Sequence, residues 1–142
     1  FACERGVNKT YLIDPKLNNR EQAAKIREAL GYSPYRVFEC SGVESSVNTA
    51  IHAVRNGGTV VLVGMGKPQI SIPVSELIIR QISFKGMFRY RDTWARAIRL
   101  IENGQINVKD LVTHRFDLKD AVSAFETAAN PQSQSVKVLI LG

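Results

Sequence analysis

The chain has 142 residues, is 44% hydrophobic and carries a formal net charge of +6, enough for a domain with an apolar core. No run of about 18 apolar residues is present to span a membrane. Basic residues are interleaved with acids, as in Arg20, Glu21, Lys25, Arg27 and Glu28, and the cluster Lys85, Arg89, Arg91 and Arg96 reads as a solvated surface. No continuous basic stripe with aromatic platforms marks a nucleic-acid face. Cys3 and Cys40 lack Cys-x-x-Cys spacing, so they predict two reduced thiols in a cytoplasmic protein rather than a zinc knuckle or a redox pair.

In chain order, "KTYLID" (9–14) predicts a short strand bounded by Pro15. Asn19 then caps a helix with Gln22 as its capping-box partner. Ala23, Ile26 and Leu30 form its apolar stripe, and Gly31 stops it. "YRVFEC" (35–40) predicts a strand and Ser41-Gly42 a turn. A second helix carries Val47, Ala50, Ile51 and Val54 on one face and ends at Gly57. "TVVLVG" (59–64) is a continuous apolar run, which suits a parallel strand buried on both faces. Alternating strands and helices with tight connections predict right-handed βαβ units in an open α/β sheet.

Beyond Pro68 the pattern changes. One or two helical turns open at Ser75, and "ISFKGMF" (82–88) predicts another strand. A helix over 93–102 is expected to bury Trp94, Ile98 and Ile101, with Gly104 closing it. The segment 117–130 predicts an amphipathic helix capped by Asp117, with Leu118, Ala121, Val122 and Phe125 on one face. Trp94 and Phe125 are expected in the core. Pro131 stops the helix, and "SVKVLIL" (135–141) predicts a closing strand.

The stretch "GGTVVLVGMGKP" (57–68) raises a chemical question, because Gly64 and Gly66 make a Gly-x-Gly after a strand. A phosphate-binding fingerprint needs a third glycine and a helix whose first N–H groups face the phosphate. Here Lys67, Pro68 and Gln69 follow, then the extended "ISIPV". The other reading is a strand end bare enough for a planar ring to lie against, since ligands of open α/β sheets sit beyond the carboxyl ends of the strands. A plain turn after a core strand stands equally beside it. Ser41 and Gly42 mark a second strand end, where the adenosine side of a dinucleotide can pass. Glu39 and Glu44 read as a carboxylate pair without a catalytic assignment. His52 and His114 lack partners at metal-ligand spacing and read as structural.

"FECSG", "GGTVVLVGMG", "FKGMFRYRDTW", "LVTHRF" and "AFETAAN" occur in one order and spacing. Together they resemble the zinc-containing medium-chain dehydrogenases, and among these the sorbitol (L-iditol or xylitol) dehydrogenase group, over nearly the whole chain. The resemblance implies an oxidoreductase that uses NAD and zinc on a small polyol. It implies that Val63, Gly64, Met65, Met87, Phe88 and Arg89 contact the cofactor, and that Arg89 and Tyr90 reach the polyol. A forked multi-donor and a phenol suit vicinal hydroxyls.

By the same resemblance the catalytic residues and the zinc ligands lie upstream of Phe1, as do the phosphate-binding glycines and the ribose-gripping acid. No catalytic or metal-ligating residue is therefore assigned in this sequence. The implied fold is a partial doubly wound (Rossmann) parallel sheet lacking its first two strands, over 1–88. A C-terminal helix and strand segment, 89–142, returns to a catalytic domain outside this sequence. A homodimer or homotetramer is implied, with no membrane or nucleic-acid partner. Two alternatives remain: a zinc-free quinone or enone reductase of the same superfamily, and a truncated non-catalytic binding or structural module. The preferred polyol, and NAD against NADP, are not readable from these residues.

Overall fold

The computed structural model describes residues Phe1–Gly142. The chain forms two compact units, Phe1–Arg89 and Tyr90–Gly142.

In the first unit, α1 (Asn19–Leu30) is followed by β1 (Arg36–Glu39), α2 (Glu44–Ala53), β2 (Thr59–Leu62), α3 (Val74–Ile79) and β3 (Ser83–Gly86). The strands make one sheet of order β1-β2-β3, parallel throughout. The α/β expectation thus holds. β2 is central, which explains its unbroken apolar run. Val47, Ala50, Ile51 and Val54 of the α2 segment pack with Val60 and Ile82 into the core. Each valine or isoleucine among them contributes roughly 1.5–3 kcal/mol by leaving water.

Three local expectations shift. Residues 9–14 form no strand, because no strand lies beside them to complete a ladder, and Leu12 is 92% exposed. Side chains tie this segment to α1 instead. The Tyr11 hydroxyl donates to Gln22 Oε1 at 2.9 Å, Gln22 Nε2 donates to the Asp14 carbonyl, and Lys9 Nζ donates to the Leu30 carbonyl at 3.0 Å. The helix cap is Asn18 rather than Asn19, with Glu21 completing the capping box. Gln22 is buried in the contact just described and is not free to cap. The third helix begins at Val74, not Ser75, and Pro73 at its N-cap supplies no side-chain cap.

The carboxyl end of α2 sits among cations. Arg27 Nη1 donates to the His52 carbonyl at 2.6 Å. Arg80 Nη1 donates to the Ile51 carbonyl at 3.0 Å, and Arg80 Nη2 to the Val54 carbonyl. Guanidinium groups at a helix C-terminus satisfy its orphan carbonyls and oppose its dipole. These arginines, with Arg20, Arg55, His52 and Glu76, line a cavity of about 480 Å³. Glu76 offsets part of the charge, pairing with Arg20 at 2.6 Å and with Arg80 at 3.6 Å.

The second unit holds α4 (Trp94–Glu102), β4 (Val112–Asp117), α5 (Ala121–Ala129) and β5 (Lys137–Leu141). β4 and β5 pair in parallel with a register shift between Val112 and His114, and α5 packs on both. β4 is an element that the sequence pattern had not suggested. Trp94, Ile98 and Ile101 are exposed rather than buried, Trp94 at 63%, as are Leu118, Val122 and Phe125. These stripes are amphipathic as expected, but nothing in the unit covers them. α5 itself begins at Ala121, since a 3-10 turn occupies Leu118–Asp120. The Asp117 side chain makes no cap hydrogen bond. Ala124 is the buried residue of α5. No helix of the chain is long and apolar enough to cross a membrane.

One contact fixes the end of the first sheet. A Cβ on Gly42 would meet the Gly66 nitrogen and lie 2.6 Å from the Met65 carbonyl carbon, and Cβ atoms on Gly64 or Gly66 would strike the Gly42 backbone. Gly42 also has φ +71. The turn after β1 and the turn after β2 therefore touch backbone to backbone. Gly42→Ala is expected to cost about 3 kcal/mol, combining left-handed strain with overpacking, as chemical denaturation will measure.

A second expectation concerns His52. Burial first, then Arg20, lowers its pKa; Glu76 acts in the opposite sense, and Arg80 and Arg27 lower it further. The folded state thus binds the proton less readily than the unfolded chain. Stability is full above about pH 6.5 and falls as pH drops through the lowered folded value. His52→Gln should flatten that fall in denaturation curves taken from pH 7 to pH 5.

Candidate functional site

The three strands of the first unit end in step. Glu39 is opposite Leu62, and Leu62 is opposite Gly86. The ladder continues one step further, with Val63 N–H donating to the Glu39 carbonyl at 2.8 Å and Met87 N–H donating to the Leu62 carbonyl at 3.0 Å. Val63 and Met87 are thus the first residues past neighbouring strand ends, and the parallel register brings 40–42, 63–65 and 87–89 onto one rim. This is the side of an open α/β sheet on which ligands lie.

Val63 and Gly64 are half-buried, while Met65, Met87 and Phe88 expose their apolar side chains, Met65 at 72%. Arg89 holds φ +43, a left-handed conformation that a residue with a Cβ adopts at a cost. Its Cζ lies 5.0 Å from the centre of the Phe88 ring, within cation–π range. Tyr90, the first residue of the second unit, stacks on Trp94 with ring centres 4.7 Å apart and planes at 42°.

The glycines of this rim serve a purpose other than the bareness expected from the sequence. The space beside Gly64 and Gly66 is filled by Gly42 rather than left for a ring, and the Val63 and Gly64 N–H groups are both taken by the Glu39 carbonyl. What the rim offers outward is its apolar side chains. No helix opens at Gly66, the next one beginning at Val74, so this Gly-x-Gly lacks the oriented N–H groups that a diphosphate needs.

The residues present offer an apolar surface that a flat ring fits, and no counterpart for phosphates. Exposed Met65, Met87 and Phe88 at in-register strand ends match the flat apolar face of a pyridine ring. A zinc ion finds no counterpart here: no group of three or more His, Cys, Asp or Glu side chains is placed to hold a metal, and Cys3 and Cys40 are free and exposed. His114 pairs Nδ1 with Thr113 Oγ1 at 3.0 Å, and His52 sits in the last turn of α2.

Sequence reasoning gave Glu39 no role beyond a doubtful pairing with Glu44. The structure makes Glu39 a buried carboxylate at the end of β1, 3% exposed, with Ser41 and Ser46 as partners. Burial pushes its pKa up, but hydrogen bonds from the Ser41 hydroxyl, the Gly42 and Ser41 N–H groups and the Ser46 hydroxyl outweigh burial, and the pKa lies below the ordinary carboxylate value. The signal was an acid closing a strand with serines at the second and seventh following positions.

The family model described as zinc-binding dehydrogenase matches residues 2–103. The L-arabinitol 4-dehydrogenase of Talaromyces emersonii is 46% identical over 142 residues, covering 94% of this chain and 37% of its own length. The sorbitol dehydrogenase of Mus musculus is 46% identical over 139 residues, covering 98% of this chain and 38% of its own. Among solved structures, L-idonate 5-dehydrogenase from Escherichia coli superposes with a TM-score of 0.72 at 30% identity, covering 92% of this chain and 36% of that one. The chain thus spans 37–38% of the length of these two curated relatives. With a family match that spans all three strand ends of the rim, the chain belongs to the zinc-binding dehydrogenase family.

Proposed function

We propose that this chain supplies the nicotinamide floor and the polyol grip of an NAD-dependent polyol dehydrogenase, acting within a longer polypeptide. The substrate class is a sorbitol-, xylitol- or arabinitol-type secondary alcohol. The observation that carries the reading is the shared rim of 63–65 and 87–89 at the carboxyl ends of in-register parallel strands. Relatives that act on polyols by name support the substrate class. The division after Arg89 supports a cofactor-binding role for 1–88 and a role within the catalytic domain for 89–142. The exposed apolar stripes of α4 and α5 support further polypeptide around the second segment.

NAD, when bound, supplies a hydride acceptor at its nicotinamide ring. The chain's own residues act by position. Val63, Gly64 and Met65 form the floor of the ring site. Met87 and Phe88 flank it with apolar surface and keep water from the ring. Arg89, resting on Phe88, presents guanidinium N–H donors to two hydroxyl oxygens of the polyol. Tyr90 offers a hydroxyl that both donates and accepts. The zinc that the family name implies is not held by residues of this chain, and no step is assigned to it here.

β3 is an edge strand of its sheet, and its free edge supports pairing with a second copy in a homodimer or homotetramer. Two exposed free thiols support a reducing, cytoplasmic setting.

Steady-state kinetics with sorbitol and xylitol test the reading in the full-length enzyme. Arg89→Ala should raise the polyol KM about tenfold, the worth of a hydrogen bond from a charged donor, and weaken NAD binding by less. Loss of NAD affinity with polyol kinetics intact would remove Arg89 from the substrate site. Metal analysis should return zinc in the purified full-length enzyme; a zinc-free enzyme that reduces quinones or enones would replace the polyol reading.

A further inference from the structure

Glu39 is buried, charged and outside the hydride-transfer chemistry. Its Oε1 accepts from the Ser41 N–H at 2.9 Å, from the Ser41 hydroxyl, and from the Ser46 hydroxyl at 2.9 Å. Its Oε2 accepts from the Gly42 N–H at 2.8 Å. No charged side chain takes part in this set. The backbone carbonyl of the same residue accepts from Val63 and Gly64 N–H at 2.8 and 3.0 Å. One residue therefore holds the turn after β1 by its side chain and the turn after β2 by its main chain.

The chemistry of the four donors restricts what can stand at this position. A carboxylate is acceptor-only, and each of its oxygens here faces at least one N–H or O–H group. A glutamine must point its NH₂ group either at the Gly42 N–H or at the Ser41 N–H and two hydroxyls around Oε1; the hydroxyls can turn to accept, the N–H cannot. In both orientations an N–H meets a donor, at a buried contact for Gly42 and a part-buried one for Ser41, and a donor held from water without an acceptor is costly. The turn must then move. Since Gly42 fills the space beside Gly64 and Gly66, its movement is passed on to residues 63–65.

We propose that Glu39 is a positioning residue for the cofactor rim. Its carboxylate fixes the 40–43 turn, and through the Gly42 contact with Gly64 and Gly66 it sets the height of the 63–65 floor under the nicotinamide ring. This rests on the reading of that rim as a nicotinamide site. Ser46, in the first turns of α2 (Glu44–Ala53), anchors the carboxylate to the helix, so the floor is referenced to the packed core rather than to a surface loop.

The test compares wild type, Glu39→Gln and Ser46→Ala in the full-length enzyme. The readouts are the NAD dissociation constant from titration, the polyol KM and kcat at saturating NAD, and amide exchange at Gly42 and Gly64. Glu39→Gln should weaken NAD binding about tenfold and Ser46→Ala about threefold, with the polyol KM at saturating NAD unchanged. Exchange at Gly42 should speed in both variants. A Glu39→Gln enzyme that binds NAD as tightly as wild type overturns the proposal. So does a loss of NAD affinity matched by an equal rise in polyol KM, the mark of general loosening. If Glu39→Gln does not fold, Ser46→Ala decides by the same split. A folded wild type that binds no nicotinamide dinucleotide overturns the site reading itself, and that arm separates the two failures.

Discussion

Two turns that leave neighbouring parallel strands press against each other with no side chain between them. Gly42 meets Gly64 and Gly66 at distances that admit no Cβ on any of the three, and this contact sets the geometry of the rim. The strands below it are locked by register, Glu39 to Leu62 to Gly86, and the core beneath by α2 against Val60 and Ile82. A Gly-x-Gly after a strand invites a ligand-based explanation. The explanation here is internal: glycine is required because another backbone occupies the place of its side chain. What the rim turns outward is the apolar side chains between and beyond the glycines, Met65, Met87 and Phe88.

Legibility in the sequence followed burial. The apolar run of β2 and the 47, 50, 51, 54 spacing of the second helix were plain because each has a buried partner. Residues 9–14 have strand-like composition, but a strand is a relation to a neighbour, and composition alone does not supply one. β4 alternates half-buried Val112, His114 and Phe116 with exposed Thr113, Arg115 and Asp117, a period-two pattern masked by its polar residues. The stripe of α4 was legible as amphipathic, while the surface it would face lay beyond what spacing can tell. In the candidate site, Val63 and Met87 stand 24 positions apart, so only the family resemblance joined them before the sheet register did. The buried state of Glu39 went unread because an acid at a strand end is ordinarily solvated.

The two units divide the physical burden unequally. The first unit contains the hydrophobic core and fixes its site by backbone hydrogen bonds and close packing. The second closes a βαβ motif over little more than Ala124, with Leu118, Val122 and Phe125 turned to solvent. In the proposed longer enzyme that apolar surface is where the segment gains its stability. Covering it releases roughly 25 cal/mol for each Å² of apolar area.

Arg89 combines a backbone that favours glycine with a side chain that glycine cannot supply. Its φ of +43 carries a penalty of about 1 kcal/mol or more, tolerated where a guanidinium resting on Phe88 is wanted. Drift at this position is therefore pulled two ways. Exchange to glycine or asparagine relaxes the chain and discards the long fork, so under the proposed polyol role of Arg89 thermal robustness and recognition of hydroxyls act against each other at a single codon.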